Sequence, residues 1–288
     1  MSPVVSVVLP TYQGARYLAQ TLDSVLAQTL TDLEVVAADD ASTDGTAGIL
    51  AAYAARDARV RIVPTERNLG AVPNWNRALA AARGDYVKVM GQDDLLHPSC
   101  LEQQVQVLRR VPTVGGVVAG RDVIDDRGRR VLPPRAPLGG AAGAVSVDRA
   151  LSLIVRSGTN SVGEPVTVLL RRSVTDEVGP FRADLPYVVD LDYWCRSLEV
   201  APLYVLSDWL CSFRVSAHSW SAALAADQGD QMCSLFTRLH REHPRLVTGG
   251  DVRRGRHKAR LISRARRAVY VGLRMRTGLG ALRRRLLG

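Results

Sequence analysis

The sequence has few cysteines and no long apolar run, and each shortage excludes a class of protein. Its four cysteines form no CxxC pair and have no zinc-like spacing, which excludes a zinc module and predicts reduced, mostly buried thiols in a cytosolic protein. No stretch of about 18 uninterrupted apolar residues occurs, so no membrane span is expected. The opening MSPVVSVVLPTYQG lacks a basic segment before its short apolar run, so no signal peptide is predicted and the expected location is cytoplasmic.

Glycine-rich nucleotide loops are missing as well. A dinucleotide-binding fold needs G-x-G-x-x-G after its first strand, and the corresponding stretch LPTYQGARY contains one glycine. A Walker A loop and the glycine-rich loop of nucleotidyltransferases are also absent. A nucleotide bound by this chain would therefore be held partly by side chains, with its phosphates held through a metal ion.

Positive charge is concentrated at one end of the chain. The formal net charge is +10, and residues 251–288 carry 13 Lys and Arg and one Asp, which leaves −2 for residues 1–250. The main body is therefore not expected to bind nucleic acid. The apolar residues of the basic segment that share one helical stripe are Ile262, Ala265, Val269 and Leu273. This pattern predicts a basic amphipathic helix that lies on an anionic membrane surface; a solvated or partner-packing helix and a nucleic-acid-binding helix are the alternatives.

Strand and helix patterns alternate through the first 120 residues or so. Short β-branched runs such as VVSVVL (4–9) predict strands buried on both faces, with helices between them. This alternation is typical of an α/β fold with a Rossmann-like, mostly parallel sheet and helices on both faces. Residues 126–145 are rich in Pro, Gly and Arg and predict a mobile loop. We expect one domain over residues 1–220 and a C-terminal basic helical extension over residues 221–288.

Polar residues collect where the predicted strands end. The first strand ends in PTYQG, the second in ADDASTDGT and the fourth in GQDD, and ligands bind at this edge of an open parallel sheet. Adjacent Asp93 and Asp94 are costly unless a cation or a proton offsets their charge. Mg²⁺ or Mn²⁺ suits them, because these ions use few protein carboxylates and leave positions for phosphate oxygens. A receiver-type phosphorylation domain fits less well, because a long second half with its own polar motifs follows.

Two linked segments resemble the family-2 glycosyltransferases, inverting enzymes with the GT-A fold. They are VSVVLPTYQGARYLAQTLDSVLAQTLTDLEVVAADDASTDGT and NLGAVPNWNRALAAARGDYVKVMGQDD, and the similarity covers residues 4–220. The resemblance implies transfer of a sugar from a UDP-, dTDP- or GDP-sugar to an acceptor hydroxyl, with inversion at the anomeric carbon. It also implies Mg²⁺ or Mn²⁺ as cofactor and a role in cell-surface polysaccharide, glycolipid or glycoconjugate biosynthesis. A lipid-linked acceptor would make docking on a membrane useful.

The same resemblance assigns residues on the donor side. The end of the first strand borders the nucleobase and ribose. Asp40 accepts a hydrogen bond from the base, Asp39 is less directly involved, and Asp93 lies near the ribose or the sugar. The nucleotide-binding candidates are therefore Pro10, Thr11, Tyr12, Asp39, Asp40 and Asp93.

The metal and the diphosphate are assigned to two further segments. In GQDD, Asp94 matches the metal ligand, and Gln92 stands where the family usually has the first acidic residue of its DxD motif. FRVSAHS (213–219) resembles the late loop that closes over the diphosphate. Arg214 and His218 are candidates there to stabilise departing charge, and His218 is also a candidate metal ligand.

The acceptor side resembles the family in PYVVDLDYWCRSLEV. Asp190 matches the general base, which an inverting displacement needs to take the proton of the acceptor hydroxyl. Val189 replaces the usual acidic predecessor, which affects acceptor recognition. Asp192 could perform the same proton transfer and is an acceptor-site candidate, and GTNSVGEP (158–165) adds Glu164.

Each candidate also has a structural explanation. Aspartates are common after strands, and Asp190 could be a simple helix N-cap, as His218 could be a surface histidine and Glu164 a structural residue. Trp75 and Trp194 lie in helical patterns and are expected in the core rather than against a sugar. For the whole chain, the alternatives to a transferase are a non-catalytic relative that binds a sugar nucleotide and a nucleotidyltransferase.

Overall fold

The chain folds around one mixed sheet with helices on both faces. The computed structural model describes residues 2–216 and 219–287, with residues 269–287 as backbone only. The strands are β1 (Val5–Thr11), β2 (Leu33–Asp39), β3 (Val60–Val63), β4 (Tyr86–Val89), β5 (Leu95–Leu96), β6 (Gly116–Ile124), β7 (Arg130–Arg135), β8 (Gly143–Val145), β9 (Val168–Arg171) and β10 (Leu203–Arg214). The helices are α1 (Leu18–Leu26), α2 (Thr46–Arg56), α3 (Ala71–Ala80), α4 (Cys100–Arg110), α5 (Val147–Ser157), α6 (Arg172–Val178), α7 (Val189–Val200), α8 (Trp220–Ala223), α9 (Gln228–Glu242) and α10 (Gly249–Leu287).

The sheet is parallel where the strand–helix alternation is regular. Its strand order is β3-β2-β1-β4-β9-β6-β10-β5, with β7 paired to β6 and β8 paired to β10. The pairs among β1 to β4 are parallel, and so is the pair β6–β10, whereas β9 runs antiparallel to both of its neighbours. The predicted α/β architecture with a mostly parallel sheet is therefore confirmed.

Both faces of the sheet are covered, which explains the continuous apolar runs. Every residue of β1 is buried, and the apolar residues divide into two clusters. Val8, Val87 and Val118 belong to one cluster, and Val7 and Val117 belong to the other, because successive residues of a strand point to opposite faces. Strands buried on both faces have no polar alternation, which is why β1 and β2 are apolar apart from Ser6 and Glu34, which bond each other, and their last residues.

Residues 126–145 differ from the prediction of a mobile loop. They contain β7, β8 and a short 3-10 turn at Pro137–Gly139. β7 is an exposed edge strand that pairs with β6 through a turn, in which Asp125 accepts the N–H groups of Arg127 and Arg129. An edge strand tolerates proline because one side of its backbone needs no partner. The proline-rich composition of this segment therefore gave no indication of strand β7.

The C-terminal extension shares its core with the rest of the chain. Phe236 of α9 and Val252 and Ala259 of α10 belong to the cluster that includes Val8 of β1. α10 lies against α5 and α9, and its Gly255 contacts the end of α5 so closely that a Cβ there would overlap the Val155 carbonyl oxygen. The division at residue 220 stays a prediction about sequence units, and the first half of α10 is integral to the fold.

The cysteines and two of the tryptophans lie in the interior, as the sequence predicts. All four cysteines are free and buried. In the part of the chain that the structure describes, no helix combines the length and the apolar character needed to cross a membrane. Trp194 is buried, and Trp75 packs edge-to-face on Phe181, as expected of core residues.

Candidate active site

The carboxyl ends of β1, β2 and β4 meet at one edge of the sheet, as the sequence predicts. Gln92 joins two of these ends. Its Nε2 donates a hydrogen bond to the Tyr12 carbonyl oxygen and its Oε1 accepts one from the Tyr12 N–H, each at 2.8 Å. Only an amide can donate and accept in this way, whereas an ionised carboxylate accepts only. Gly14 leaves the space for this amide, since a Cβ there would collide with the Gln92 side chain.

The predicted nucleotide-binding residues of β1 and β2 lie together at this edge. Pro10 and Thr11 are buried, and Tyr12 is 49% exposed. The Thr11 hydroxyl donates to the Asp39 carboxylate at 3.0 Å, and the same carboxylate accepts the N–H and hydroxyl of Ser42. Asp39 therefore fixes the loop after β2, and Tyr12 presents an exposed ring at the same edge.

Asp40, the predicted partner of the nucleobase, is almost fully buried at the end of β2. It is 1% exposed, and its two oxygens accept the N–H groups of Leu69 and Gly70 at 2.7 and 2.9 Å. Gly70 has φ +87°, a conformation that favours glycine, and it precedes the first turn of α3. Asp40 thus holds the start of α3 against the end of β2. Its contact with a base stays a prediction.

Asp93 and Asp94 follow β4 and share one space. A Cβ on Gly91 would lie 3.0 Å from both Asp93 Oδ1 and Asp94 Oδ2, so both oxygens face the space that the glycine leaves open. Burial raises the pKa of Asp93 to about 6. Burial and the neighbouring charge of Asp93 together raise the pKa of Asp94 well above its usual value. Two hard oxygen donors whose ionisation needs a positive charge fit Mg²⁺ or Mn²⁺.

A complete metal coordination sphere is not formed by the described side chains alone. Within residues 2–216 and 219–287, no group of three or more His, Cys, Asp and Glu is placed to hold an ion. His218, the other predicted metal ligand, lies outside the described residues. The two carboxylates are a partial ligand set of the kind that Mg²⁺ completes with water and substrate phosphates.

Arg214 braces the Asp93–Asp94 loop from the end of β10. It is 1% exposed, and its N–H donates to Asp94 Oδ1 at 3.0 Å. Its guanidinium donates to the carbonyl oxygens of Asp93 and Asp125 and to Gln20, and it lies over the Tyr17 ring. Each guanidinium nitrogen has one protein acceptor, and Nη1 and Nη2 each keep a second N–H, so the predicted contact with a diphosphate stays a prediction. Arg214 acts here by fixing the position of Asp94.

The loop at residues 159–164 connects the two halves of the site. Asn160 and Gly163 exchange two hydrogen bonds of 2.9 Å, which closes the loop. Glu164 at its end forms an ion pair with Arg121 of β6. The negative charge of Glu164 raises the pKa of both Asp94 and Asp190. The predicted metal ligand and the predicted base therefore lie within electrostatic reach of one carboxylate.

Asp190 lies in the first turn of α7 and has the environment of a general base. Asn160 Nδ2 donates to its Oδ2 at 2.8 Å. Burial, and to a lesser degree the charge of Glu164, raise the pKa of Asp190 to about 7, against the hydrogen bonds from the Leu191 N–H and Asn160 that lower it. A carboxyl group that titrates near neutrality both accepts and returns a proton readily.

Asp192, two residues further along α7, has a different environment. It is 3% exposed, and its oxygens accept from Arg238 at 2.6 Å and from Arg196 at 3.1 Å. The pair with Arg238 joins α7 to α9, and the pair with Arg196 lies within α7. Asp192 is therefore placed as a structural anchor, and its predicted part in acceptor binding stays a prediction.

Three residues that organise the site cannot be recognised as such from local sequence. Gln92 stands out only as a departure from an acidic motif, and neither Asn160 nor Arg121 is marked by any pattern. Their partners lie 80, 30 and 43 residues away in the chain. The local sequence shows only that each residue is polar and lies near a motif. It does not identify a partner so far away in the chain.

Comparison with known proteins agrees with this geometry. Residues 6–179 match Glycosyl transferase family 2, and the chain belongs to this family. EpsE of Bacillus subtilis, a protein named as a putative glycosyltransferase, is 37% identical over 206 residues, which are 68% of this chain and 67% of that protein. An uncharacterized glycosyltransferase of Rickettsia felis is 28% identical over 81% of this chain. The chain spans 37% of that protein's length and 64% of a second relative, from Rickettsia typhi.

Solved structures extend the likeness to the fold. TarS of S. aureus, in complex with UDP-GlcNAc, has a TM-score of 0.66 at 20% identity over 83% of this chain and 67% of its own. The mannosyltransferase PcManGT from Pyrobaculum calidifontis, in complex with GDP-Man and Mn²⁺, has a TM-score of 0.66 at 20% identity over 94% of this chain and 75% of its own. The fold is thus that of the GT-A glycosyltransferases.

Proposed function

We propose that the chain transfers a sugar, with inversion, from a nucleotide diphosphate sugar to an acceptor hydroxyl in the biosynthesis of a cell-surface polysaccharide or glycoconjugate. One observation carries this proposal: the loop at residues 159–164 bonds Asp190 through Asn160, and its Glu164 lies within electrostatic reach of both Asp94 and Asp190, so a metal-type site and a base-type site adjoin. Transfer to a hydroxyl needs both, one for the departing diphosphate and one for the acceptor proton. Two solved neighbours hold UDP-GlcNAc and GDP-Man, which supports a sugar nucleotide as donor.

Asp190 acts as the base in this proposal. Asn160 orients its carboxylate, and the raised pKa keeps it ready to accept a proton near neutral pH. As the acceptor oxygen attacks the anomeric carbon, its proton moves to Asp190, and the bond to the nucleotide diphosphate breaks on the opposite face of the sugar. Attack from the face opposite the leaving group inverts the anomeric configuration.

Asp94 and Asp93 hold the donor's diphosphate end. Mg²⁺ or Mn²⁺ bound there would neutralise charge on the departing diphosphate. The chain's contribution is to fix the two carboxylates: the N–H of Arg214 bonds Asp94 Oδ1, and the Thr21 hydroxyl donates to the Gln92 and Asp94 carbonyl oxygens. These contacts leave Asp94 Oδ2 and Asp93 Oδ1 beside Gly91 for the cation.

Donor binding is tested by thermal unfolding with UDP, dTDP and GDP, each with and without Mn²⁺. We expect one nucleotide to raise Tm in a Mn²⁺-dependent way, because a ligand that binds only the folded state stabilises it. Asp94→Asn should remove the Mn²⁺-dependent part of the shift. No Mn²⁺-dependent shift with any of the three would contradict the proposed donor site.

The base is tested by a matched pair of variants. Asp190 and Asp148 each occupy the second residue of a helix, α7 and α5, and only Asp190 lies in the site. Asp190→Asn should lower sugar transfer by a factor of about 10² or more while the nucleotide-induced Tm shift persists. Asp148→Asn should leave transfer unchanged. Full transfer activity in Asp190→Asn would exclude this residue as the base.

We propose further that α10 docks the enzyme on an anionic membrane. Its exposed arginines on the described part include Arg253, Arg260 and Arg264, and each basic residue near an anionic surface contributes about 1 kcal/mol. The full-length chain should float with phosphatidylglycerol vesicles and not with phosphatidylcholine vesicles. The triple Arg→Gln variant at these positions should float less, and equal flotation of both proteins would exclude this surface.

A further inference from the structure

An excess of positive charge borders the candidate base. Arg121 of β6 and Arg135 of β7 lie directly opposite each other in the antiparallel ladder. Side chains at opposed positions share one face of the sheet, and like charges there destabilise the pair. A bound anion would reduce the repulsion between these two arginines, just as a bound cation would reduce the repulsion between Asp93 and Asp94.

One carboxylate offsets only part of this charge. Arg121 is 3% exposed and pairs with Glu164, whose Oε1 accepts from the guanidinium at 3.1 Å. Arg135 is exposed, and within the described residues its guanidinium has neither a hydrogen bond nor an ion pair. Arg135 is thus a cation next to a buried ion pair, with its donors available.

A third arginine reaches the same place from α10. Arg266 donates to the Thr159 hydroxyl at 3.0 Å and to the Tyr187 hydroxyl. Partial burial, and then the charges of Arg121 and Arg266, lower the pKa of Arg135 against the opposing charge of Glu164, so Arg135 lies within electrostatic reach of both other arginines. Strand β6, strand β7 and the C-terminal helix therefore each contribute one cation.

The loop at residues 159–164 places these cations beside the base. Thr159 contacts Arg266, Asn160 contacts Asp190, and Glu164 contacts Arg121. Contacts from a single short closed loop hold the three partners in one neighbourhood. An anion bound by the arginines would lie on the side of the site where the acceptor hydroxyl meets Asp190.

We propose that Arg121, Arg135 and Arg266 form a phosphate-binding subsite, and that the acceptor carries a phosphate group. Three guanidinium charges against the one carboxylate of Glu164 leave +2. A phosphate monoester carries about −1.5 to −2 at pH 7, which matches this excess better than the single charge of a carboxylate. The arginine fork also suits the geometry of phosphate oxygens. The subsite stands by itself, whereas its assignment to the acceptor rests on the proposed function.

The subsite is tested with inorganic phosphate as the probe. Titration of the full-length chain by calorimetry, in EDTA to prevent metal-held phosphate at Asp93 and Asp94, should show saturable binding that acetate at equal ionic strength does not reproduce. Arg135→Ala should weaken the affinity by about tenfold or more. Arg110→Ala, which removes an exposed arginine at the end of α4, should leave it unchanged. Equal phosphate affinity in the Arg135 and Arg110 variants would overturn the proposal.

A second variant changes the affinity in the opposite direction. Glu164→Gln keeps the side-chain size and removes the offsetting charge, so phosphate should bind more tightly by severalfold. A residue with a merely structural role would weaken binding or leave it unaltered when replaced. If Glu164→Gln folds, as checked by its cooperative unfolding, and binds phosphate less tightly than the wild type, the charge argument is wrong. Arg135→Ala keeps the proposal testable if this variant fails to fold.

Two further measurements locate the phosphate and separate this inference from the proposed function. The first compares how much wild type and Arg135→Ala float with phosphatidic acid vesicles. Less flotation of the variant assigns the phosphate to a lipid, and equal flotation of both proteins assigns it to a soluble acceptor. A failed nucleotide panel would remove the proposed function and leave the phosphate titration valid. A normal nucleotide panel with no phosphate binding would remove the subsite alone.

Discussion

At the scale of single residues, two aspartates of one helix show how environment decides role. Asp190 has one amide donor and a pKa raised to about 7. Asp192 lies between Arg196 and Arg238, deep in the interface of α7 with α9. The same substitution, Asp to Asn, should therefore have opposite effects on stability at the two positions.

Replacement of Asp190 should stabilise the fold at alkaline pH. The carboxyl has a pKa of about 7 in the folded chain, against an ordinary value of 3.8, so between these values the folded state binds more protons and stability falls as pH rises. Asp190→Asn removes this loss. We expect the variant to exceed the wild type by about 1–2 kcal/mol at pH 8 and by less at pH 5, after allowance for partial exposure. Urea unfolding at both pH values measures it, and kcat/KM of the wild type should rise through pH 7.

Replacement of Asp192 should do the reverse. Asp192→Asn removes the carboxylate that Arg196 and Arg238 share, while Asp184 still pairs with Arg238 and two carbonyl oxygens still accept from Arg196. We therefore expect a loss of about 3 kcal/mol, the lower end of the cost of removing one partner from a buried ion pair. Urea unfolding at pH 7 measures the loss, with Asp148→Asn on α5 as the exposed control. A loss below that of the control would show that the two arginines find other acceptors.

At the scale of elements, the local sequence pattern predicts strands that are buried on both faces and candidate site residues that belong to one contiguous motif. β1, β2 and β4 are recognisable because both of their faces are covered, and Asp93, Asp94 and Asp190 because they belong to contiguous motifs. β7 escapes prediction because RVLPPR is an exposed edge strand, paired only through β6. The contacts that orient the site join residues far apart in sequence, and no local pattern encodes them.

The Gln92 bridge between the ends of β1 and β4 should tolerate no acidic replacement. Gln92→Glu restores the residue type usual in the family motif, but an ionised carboxylate cannot donate to the Tyr12 carbonyl, and it adds a third carboxyl group next to Asp93 and Asp94. We expect a loss of about 1–3 kcal/mol in stability without metal, partly recovered by Mn²⁺ because the cation offsets the added charge. Thermal unfolding with and without Mn²⁺ tests this, and equal stability of both proteins without metal would contradict it.

At the scale of the whole molecule, the basic extension is part of the core and contacts the loop at residues 159–164. α10 buries Val252 and Ala259 in the main cluster and carries Arg266 to the loop at residues 159–164. A segment that the sequence marks as a basic amphipathic helix thus contacts the loop that holds Asp190 through Asn160. The packing of α10 against α5 depends on the close approach of Gly255 to the Val155 carbonyl oxygen.

Two glycine substitutions on α10 should separate helix propensity from docking. Gly→Ala within a helix stabilises by about 0.5–1 kcal/mol when the added methyl meets nothing, as at Gly250, where the nearest atom is the Thr248 hydroxyl at 3.6 Å. At Gly255 the methyl would overlap the Val155 carbonyl oxygen, so Gly255→Ala should destabilise by about 1–3 kcal/mol. Because α10 carries Arg266, Gly255→Ala should also weaken phosphate binding, while Gly250→Ala should leave it intact. Urea unfolding and phosphate titration of both variants test this prediction. A Gly255→Ala variant with wild-type stability and wild-type phosphate affinity would show that the close packing of α10 on α5 is needed for neither.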